Sequence, residues 1–308
     1  MLVRQQELPR HLAGAEEGAL KEAMSTAGPP QGAKTPSGGR EPHAVGERGG
    51  HFSWPSESIW EAVAPLLPGF TVELLPSIDS TNSELMRRAR AGQMEPVLLV
   101  AEQQTAGRGR LGRQWLSDGP QAGATLTFSL GLPLPADLDL SGLSLMVGVS
   151  LAQSLHPDLR LKWPNDLWWR ERKLGGILIE TASLGATRYG VIGVGLNILP
   201  REAAGLSTPP AWLQELLPEA DAPAILLRVA ASLARDWRRF CAEGFAPWHA
   251  AFAARDALAG RMVRLSNAAG ETEEGLAQGV DASGALLVHT SAGLRAIHGG
   301  EVSVRPST

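Results

Sequence analysis

Residues 107–113 alternate glycine with arginine in the order Gly-Arg-Gly-Arg-Leu-Gly-Arg and contain no acidic side chain. Arginine stays charged at physiological pH, and its planar group of donors suits phosphate and carboxylate. The three glycines let the backbone approach a ligand closely and take up positive φ. The segment indicates a site for an anionic ligand, but its composition equally fits a solvated basic loop or an RNA-binding patch.

Two observations favour the ligand site over the basic loop. The motif occurs once, and it closely follows an apolar run with strand character at 97–101. The motif is neither a Walker loop nor a G-x-G-x-x-G segment that opens a helix. A nucleotide site built on it must therefore differ from both of those designs.

Two further segments combine charged residues with a bend of the chain. Residues 162–166 are Lys-Trp-Pro-Asn-Asp at the end of a predicted strand, where Pro164 cannot donate to a ladder. Residues 172–176 are Arg-Lys-Leu-Gly-Gly and lead into an apolar run. Turn chemistry alone would explain Asn165 and Asp166, and a hairpin turn with exposed charges would explain the Arg-Lys pair. Each segment can therefore be structural or functional.

A fourth segment, residues 193–197, places Gly193 and Gly195 inside a predicted strand that ends at Asn197. Glycine inside a strand often marks a bulge or the close approach of a ligand or another backbone. The sequence predicts one of these features beside Asn197.

Helices and strands must position these four segments. Thr81 and Glu84 have capping-box spacing, so a helix is predicted to begin at Ser80 and to end at Gly92. Apolar runs predict strands at 97–101, 124–130, 159–163, 174–181 and 189–197. Further helices are predicted at 140–155, 223–243 and 247–258.

The two ends of the chain differ from its centre. Residues 261–304 form short alternating pieces separated by glycines, which predicts a small all-β barrel or sandwich. Residues 1–53 are rich in glycine and proline, predict a disordered extension, and lack the helices of a helix-turn-helix. The predicted organisation is an extension at 1–53, a central domain at 54–259 and a C-terminal domain at 260–308.

Composition limits the classes of function. The chain has 308 residues, a formal net charge of −4 and a single cysteine, Cys241. The charge argues against coating nucleic acid or a membrane, so neither DNA nor membrane is an expected partner. A single cysteine fits a reducing compartment, and no apolar run of membrane-spanning length is present, so a cytoplasmic location is predicted. The seven histidines are scattered and lie outside the four segments.

The basic residues are very unequal in type. The chain holds 24 arginines and four lysines, and Lys21 and Lys34 lie in the predicted disordered extension. The two remaining lysines, Lys162 and Lys173, both belong to the motifs described above. Because a compact ammonium and a planar guanidinium are not interchangeable at a crowded anion site, these two positions are candidates for specific roles.

Together, in this order and spacing, the motifs resemble those of the biotin protein ligases. The matching elements are Ser80-Thr81-Asn82, Gln104, residues 107–113, Trp115, and residues 162–166, 172–176, 193–197 and 299–303. The resemblance implies an α/β (α+β) catalytic domain with a mixed sheet, followed by a small SH3-like barrel. Some bacterial relatives carry an N-terminal helix-turn-helix, which residues 1–53 do not resemble, so the class of ligase without a DNA-binding domain is predicted.

The family resemblance implies a reaction in two steps with biotin and ATP as substrates. Biotin carboxylate attacks the α-phosphate of MgATP, giving biotinyl-5′-adenylate and pyrophosphate. A lysine of the biotin carboxyl carrier protein of acetyl-CoA carboxylase then attacks the adenylate. Mg²⁺ would be held by ATP phosphates and water, so no dedicated protein metal site is expected. Relatives differ in oligomeric state, which leaves a homodimer possible.

The resemblance also assigns roles to individual residues. The positions matching biotin contacts are Ser80, Thr81, Asn82, Gln104, Arg108, Gly109, Arg110, Lys173 and Gly176. The positions matching ATP or adenylate contacts are Arg108, Arg110, Arg113, Trp115, Lys173 and Asn197. The resemblance gives catalytic roles to Arg110, Lys173 and Asp166, with Asp166 placed near the incoming carrier lysine.

Two other functions remain open at this stage. A lipoate-protein ligase would share the catalytic fold, although the arginine-glycine segment favours biotin. A biotin-responsive regulator that binds nucleic acid through Arg108, Arg110 and Arg113 is disfavoured by the net charge of −4.

Overall fold

The computed structural model describes residues 53–117, 123–202, 208–266, 270–299 and 303–306. The predicted extension at 1–53, apart from Ser53, lies outside the described residues, as does part of the closing motif at 299–303. The two predicted domain boundaries, between residues 53 and 54 and between residues 259 and 260, stay predictions.

A seven-stranded sheet forms the central part of the molecule, in the spatial order β1-β2-β3-β7-β6-β5-β4. Its strands are β1 (Thr71–Ile78), β2 (Val97–Gln104), β3 (Thr125–Leu134), β4 (Arg160–Lys162), β5 (Asp166–Trp169), β6 (Arg172–Leu184) and β7 (Thr187–Asn197). Only the β1–β2 pair is parallel, and every other neighbouring pair is antiparallel. The predicted mixed sheet is therefore confirmed.

Helices cover the two faces of this sheet unequally. The helices are α1 (Ser56–Val63), α2 (Thr81–Arg90), α3 (Leu143–Leu155), α4 (Ala222–Glu243) and the short α5 (His249–Ala253). α3 is buried along nearly its whole length, because it lies between the sheet and α4. α2 packs on the opposite face, where Leu85, Met86 and Ala89 form a smaller core with β2 and β7. Since α2 has only 10 residues, part of that face stays uncovered.

The register of the sheet brings distant segments into one row. Lys162 lies opposite Asp166, Asp166 opposite Gly176, and Gly176 opposite Gly195. Gly195 in turn lies opposite Thr127 of β3. Alternate residues of a strand point to opposite faces of the sheet. The residues two positions away along each strand therefore point to the same face as this row. This row crosses the sheet face left open by α2.

The C-terminal region forms a separate antiparallel sheet of five strands. They are β8 (Met262–Ser266), β9 (Thr272–Val280), β10 (Leu286–Thr290), β11 (Gly293–Ile297) and β12 (Ser303–Pro306), in the spatial order β11-β10-β9-β8-β12. The predicted all-β character of this region is confirmed. Pairing between β11 and β12 is not found among the described residues.

Trp163 joins the C-terminal sheet to the central domain. Its side chain is 1% exposed, and its indole Nε1 donates to the backbone oxygen of Gly284 at 3.0 Å. Gly284 has φ +84°, and a side chain there would lie 2.9 Å from the Cα of Gly142 at the start of α3. The tryptophan between Lys162 and Pro164 thus anchors one domain on the other.

Three elements differ from the sequence-based expectation. β1 was not predicted, because it contains Pro76 and is only partly buried. β5 was interpreted as a turn, because it begins with the charged Asp166. The helix expected at 247–258 is a 3-10 turn (Ala246–Trp248) followed by α5, since the chain then pairs with β4: Leu161 donates to Arg255 O and accepts from Ala257 N, both at 2.9 Å.

Replacing Trp163 with Phe should destabilise the protein, because the buried carbonyl of Gly284 would lose its donor. We expect the free energy of unfolding to fall by about 1–3 kcal/mol in urea titrations. Trp60→Phe is the matched control: its Nε1 also donates to a backbone oxygen, but the side chain is 38% exposed. Equal losses in the two variants would contradict the anchoring role of Trp163.

Candidate active site

A cavity of about 710 Å³ opens on the uncovered face of the sheet, beside the N-terminus of α2. Every residue to which the sequence assigned a site role lies on its wall. These are Ser80, Thr81, Asn82, Gln104, Arg108, Gly109, Arg110, Arg113, Trp115, Asp166, Lys173, Gly176 and Asn197. The structure therefore brings together segments that lie far apart along the chain. The role of each residue stays a prediction.

Hydrogen bonds fix the first turn of α2 against the neighbouring strands. The backbone N–H and the hydroxyl of Thr81 donate to Gln104 Oε1 at 2.8 and 3.1 Å. Ser129 Oγ donates to Asn82 Oδ1 at 2.6 Å and lies 2.7 Å from Thr81 Oγ1. Ser80 caps the helix by accepting from Ser83 N at 3.4 Å. This end of the cavity is thus lined by neutral polar groups whose positions are set before any ligand binds.

Glu180 of β6 links α2 to the arginine-glycine loop. One carboxylate oxygen accepts from Asn82 Nδ2 at 3.0 Å, and the other lies 3.1 Å from Arg108 Nη2. Arg108 also donates to Ser83 Oγ at 3.4 Å. The guanidinium of Arg108 is therefore held beside the neutral end of the cavity.

Gly193 and Gly195 of β7 are required by close approaches of side chains. A Cβ atom at Gly193 would lie 2.1 Å from Asn82 Oδ1, and a Cβ atom at Gly195 would lie 2.4 Å from the indole ring of Trp115. The sequence predicted a bulge or the close approach of a ligand or another backbone at these glycines, whereas the nearest atoms belong to side chains. The indole Nε1 of Trp115 is buried without a hydrogen-bond partner among the described residues.

Residues 107–115 form a short hairpin over the cavity. Trp115 N donates to Gly107 O at 2.9 Å, and Gly109 N donates to Arg113 O at 2.7 Å. Of the three glycines in the motif, only Gly112 has a positive φ, and it shares the turn with Leu111 at φ 56°. Gly107 instead allows the close approach of the Trp115 backbone, since a Cβ atom at Gly107 would lie 2.4 Å from Trp115 O. The prediction of positive φ was therefore wrong for two of the three glycines.

Arg110 points from this hairpin toward residues 162–166. It donates to Asn165 Oδ1 at 3.3 Å and also to the backbone oxygen of Gly299. Asn165 is itself held by Ile177, whose backbone oxygen accepts from Asn165 Nδ2 at 2.7 Å. Burial lowers the pKa of Arg110 from its ordinary value, and the nearby carboxylate of Asp166 opposes that shift. The guanidinium remains a cation at neutral pH on the wall of the cavity.

Two lysines meet one carboxylate on the part of the wall formed by β4, β5 and β6. Lys173 Nζ lies 2.6 Å from Asp166 Oδ1, and Lys162 Nζ lies 3.9 Å from Asp166 Oδ2. Burial lowers the pKa of Lys162, an effect that Asp166 opposes and that the positive charge of Lys173 increases. The strand register explains the cluster, because Lys162 and Asp166 are directly paired and Lys173 is the second residue of the next strand, β6.

The side chain of Asn197 forms hydrogen bonds with three other segments of the protein. Nδ2 donates to the backbone oxygens of Lys173 at 3.2 Å and Ala211 at 2.9 Å, and Oδ1 accepts from Arg201 at 2.8 Å. The residue is 3% exposed. Its polar atoms are therefore engaged within the protein, which favours a role in positioning Lys173 over the predicted adenylate contact.

Several residues in and around the site escaped the sequence-based assignment. Ser129 and Glu180 lie within runs that predict strands, and their partners come from segments 47 and 98 positions away. The C-terminal domain also contributes Arg261, Val304 and Arg305 to the wall. Lys162 was singled out by the lysine count but received no role. Of these residues, only Lys162 was indicated by the sequence, through the lysine count. The others can be recognised only from tertiary contacts.

The arrangement suits reactions between anions better than hydrolysis by a protein nucleophile. Arg110, Lys173 and Lys162 supply positive charge around a central space, and the hairpin covers that space. Within the described part of the chain, no group of three or more His, Cys, Asp or Glu residues could hold a metal ion. In the same residues, no helix is both long and apolar enough to cross a membrane.

Two family models match the chain. Residues 74–197 match the biotin/lipoate A/B protein ligase family, and residues 259–305 match the biotin protein ligase C-terminal domain. The first match covers the cavity segments from Ser80 to Asn197, and the second covers most of the five-stranded sheet.

Individual relatives extend over both matched regions. The chain is 36% identical to the Escherichia coli bifunctional ligase/repressor BirA over 251 residues, which cover 78% of this chain and 75% of that protein. It is 32% identical to the Paracoccus denitrificans biotin--[acetyl-CoA-carboxylase] ligase, covering 74% of this chain and 98% of the relative. The structure of an Aquifex aeolicus biotin protein ligase in complex with biotin and ATP superimposes with a TM-score of 0.65 at 30% identity, covering 77% and 99% of the two chains.

Replacing Gly193 with Ala should displace Asn82, because the added methyl group would overlap Asn82 Oδ1. We expect the free energy of unfolding to fall by about 1–3 kcal/mol, the usual cost of overpacking. The control is Gly109→Ala, where the nearest atom would lie 3.4 Å away and φ is −124°. Urea unfolding of both variants tests this, and a Gly193→Ala protein as stable as the control would contradict the close approach.

Proposed function

The chain belongs to the biotin protein ligase family, and we propose that it activates biotin with ATP and transfers it to a lysine of a carrier protein. The observation that carries this proposal is the cavity itself. It combines a neutral polar end at α2, a cationic hairpin and the Lys173–Asp166 pair, all within the matched regions. By this proposal the protein is a biotin--[acetyl-CoA-carboxylase] ligase, like its Paracoccus denitrificans relative.

Biotin binds with its uncharged ureido ring at the α2 end of the cavity. Ser80, Thr81, Asn82 and Gln104 provide neutral hydrogen-bonding groups there, which suit a buried dipolar ring. Because Thr81 occupies Gln104 Oε1 with two hydrogen bonds, the Nε2 group of Gln104 is left for a ligand acceptor. Gly176 lies further along the same wall, next to Lys173. The biotin carboxylate then points toward the cations.

The adenosine triphosphate lies under the hairpin, with its α-phosphate next to the biotin carboxylate. Arg110 and Arg113 lie beside the phosphates, Arg108 borders the neutral end that holds biotin, and the Trp115 ring covers the adenylate side. A carboxylate oxygen attacks the α-phosphorus, the bond to the bridging oxygen breaks, and pyrophosphate leaves with the electron pair. Lys173 and Arg110 bring the two anions together and stabilise the charge on the phosphoryl oxygens. The protein supplies no nucleophile, since biotin is already ionised.

In the second step a carrier lysine reaches the adenylate through the cavity mouth. Its amine must lose a proton before the nitrogen attacks the biotinyl carbonyl. Asp166 orients the ammonium and accepts that proton, and the carbon–oxygen bond to the phosphate then breaks, releasing AMP. The carrier we propose is the biotin carboxyl carrier protein of acetyl-CoA carboxylase. A homodimer stays a prediction.

Mg²⁺ is expected to enter with ATP and to be held by its phosphates. The acidic side chains on the cavity wall are already paired, Asp166 with Lys173 and Glu171 with Arg261 at 2.7 Å. The described residues therefore do not fit a protein-built metal site, and no step is assigned to the ion.

The activity is tested by incubating the protein with MgATP, a biotin carboxyl carrier domain and either biotin or lipoate. We expect carrier labelled with biotin, detected with streptavidin, and no lipoyl carrier by mass spectrometry. Random-sequence DNA at physiological salt should not bind. Lipoylated carrier without biotinylated carrier would overturn the assignment, and tight operator-like DNA binding would restore the regulator alternative.

Replacing Lys173 with Ala should impair adenylate formation far more than folding. We expect pyrophosphate release with biotin and MgATP to fall by about 10²–10³-fold, as when one charge-stabilising donor is removed. The free energy of unfolding should fall by no more than about 2 kcal/mol, since the pair is only partly buried. Arg239→Ala, which removes an exposed cation on α4, is the control. An unchanged first step in Lys173→Ala would contradict the role of Lys173.

A further inference from the structure

We propose that Lys162 is a positioning residue for the transfer step, acting through Asp166. This inference rests on the proposed function, because it concerns the carboxylate that receives the proton of the carrier lysine. Lys162 itself forms no bond to a substrate and takes no proton. Its role is to keep the Asp166 carboxylate oriented while Lys173 is engaged with phosphate and biotin carboxylate.

The first observation is the division of the Asp166 carboxylate between two ammonium groups. Oδ1 is in direct hydrogen-bond contact with Lys173 at 2.6 Å. Oδ2 is 3.9 Å from Lys162, which is close enough for attraction between the charges but too far for a hydrogen bond. Lys162 therefore stabilises the negative charge of Oδ2 without occupying its lone pairs. That oxygen remains able to receive an amine.

The second observation is the way in which Lys162 is held. Its Nζ lies 5.4 Å from the centre of the Trp168 ring, and Trp168 stands two residues beyond Asp166 on β5. The Lys162 side chain is 11% exposed, whereas that of Lys173 is 32% exposed. The aromatic face and the carboxylate thus fix the Lys162 ammonium, while the Lys173 ammonium has more freedom to reach a ligand.

The third observation is that packing alone does not explain a lysine here. Burying an ammonium costs free energy, and an apolar side chain of similar length would pack against Trp168 without that cost. Apart from Lys162 and Lys173, every position from 54 onward that holds either lysine or arginine holds arginine. A lysine retained beside Trp168 and Asp166 therefore indicates a use for a compact charge.

Lys173 and Lys162 then have different roles in adenylate formation and in transfer. When Lys173 turns its donors to the anions of the first step, Asp166 Oδ1 loses its contact with the Lys173 ammonium. Lys162 keeps one positive charge beside the carboxylate throughout, so that Asp166 does not rotate toward the adenylate. The carboxylate is then ready when the carrier ammonium arrives.

The test is a double-mutant cycle on Lys162 and Asp166. Adenylate formation is followed by pyrophosphate release, and transfer is followed by mixing preformed biotinyl-adenylate complex with carrier domain. In Lys162→Met, the transfer rate constant should fall about tenfold or more beyond any fall in adenylate formation. In the Asp166→Asn background, adding Lys162→Met should change the transfer rate constant less than about threefold, since the carboxylate is already lost.

Three controls separate this proposal from a general loss of structure. Lys162→Arg keeps the positive charge but replaces the compact ammonium with a planar guanidinium, so its transfer rate constant should lie between those of Lys162→Met and the wild-type protein. Arg239→Met removes an exposed cation on α4 and should leave both steps unchanged. Should Lys162→Met fail to fold, Lys162→Gln replaces it in the cycle, with the same expected ratio of the two steps.

Two results would overturn the proposal. One is an equal loss of both steps in Lys162→Met. The other is a loss of transfer on adding Lys162→Met to the Asp166→Asn variant that is as large as the loss in the wild-type background. Failure of the proposed function is a different result, because the wild-type protein would then form no adenylate or label no carrier. When the wild-type protein carries out both steps, the double-mutant cycle tests the role of Lys162 alone.

Discussion

The carboxylate of Asp166 lies between the ammonium groups of Lys173 and Lys162, and the rest of the site is organised around these three charges. Like charges repel, so the two lysines can share one wall only with a carboxylate between them. Three adjacent strands, β4, β5 and β6, hold the cluster in register. Asn197 fixes the backbone of Lys173, and Trp163 anchors the intervening bend on the C-terminal sheet.

Beside this cluster, the absence of side chains at two positions of β7 lets two side chains of the cavity wall pack directly on the sheet. Gly193 admits Asn82, and Gly195 admits the ring of Trp115. The same face thus combines a neutral polar end, an aromatic cover and a cationic centre beside two neighbouring rows of strand pairs. A substrate with a neutral ring at one end and a carboxylate at the other matches this order of groups.

The sequence predicted the segments of the site better than their contacts. Motif order identified residues that line the cavity, because each motif sits at the end or edge of an element with a clear apolar period. It missed Ser129, Glu180 and Arg305, whose contribution depends on segments far away in the chain. It interpreted the start of β5 as a turn, since a strand beginning at Asp166 becomes evident only from its pairing with β4 and β6. The lysine count pointed to Lys162, but only the contacts with Trp168 and Asp166 indicate a role for that residue.

The central claim is that this cavity joins biotin to the α-phosphate of ATP and then releases it to an amine. A single-turnover experiment with ATP labelled at the α-phosphate tests the claim directly. With biotin present and carrier absent, the label should accumulate as protein-bound biotinyl-adenylate. On addition of carrier, it should convert to AMP at the rate at which biotin appears on the carrier lysine. Labelled ADP, or AMP formed without a biotinyl-adenylate intermediate, would contradict the account.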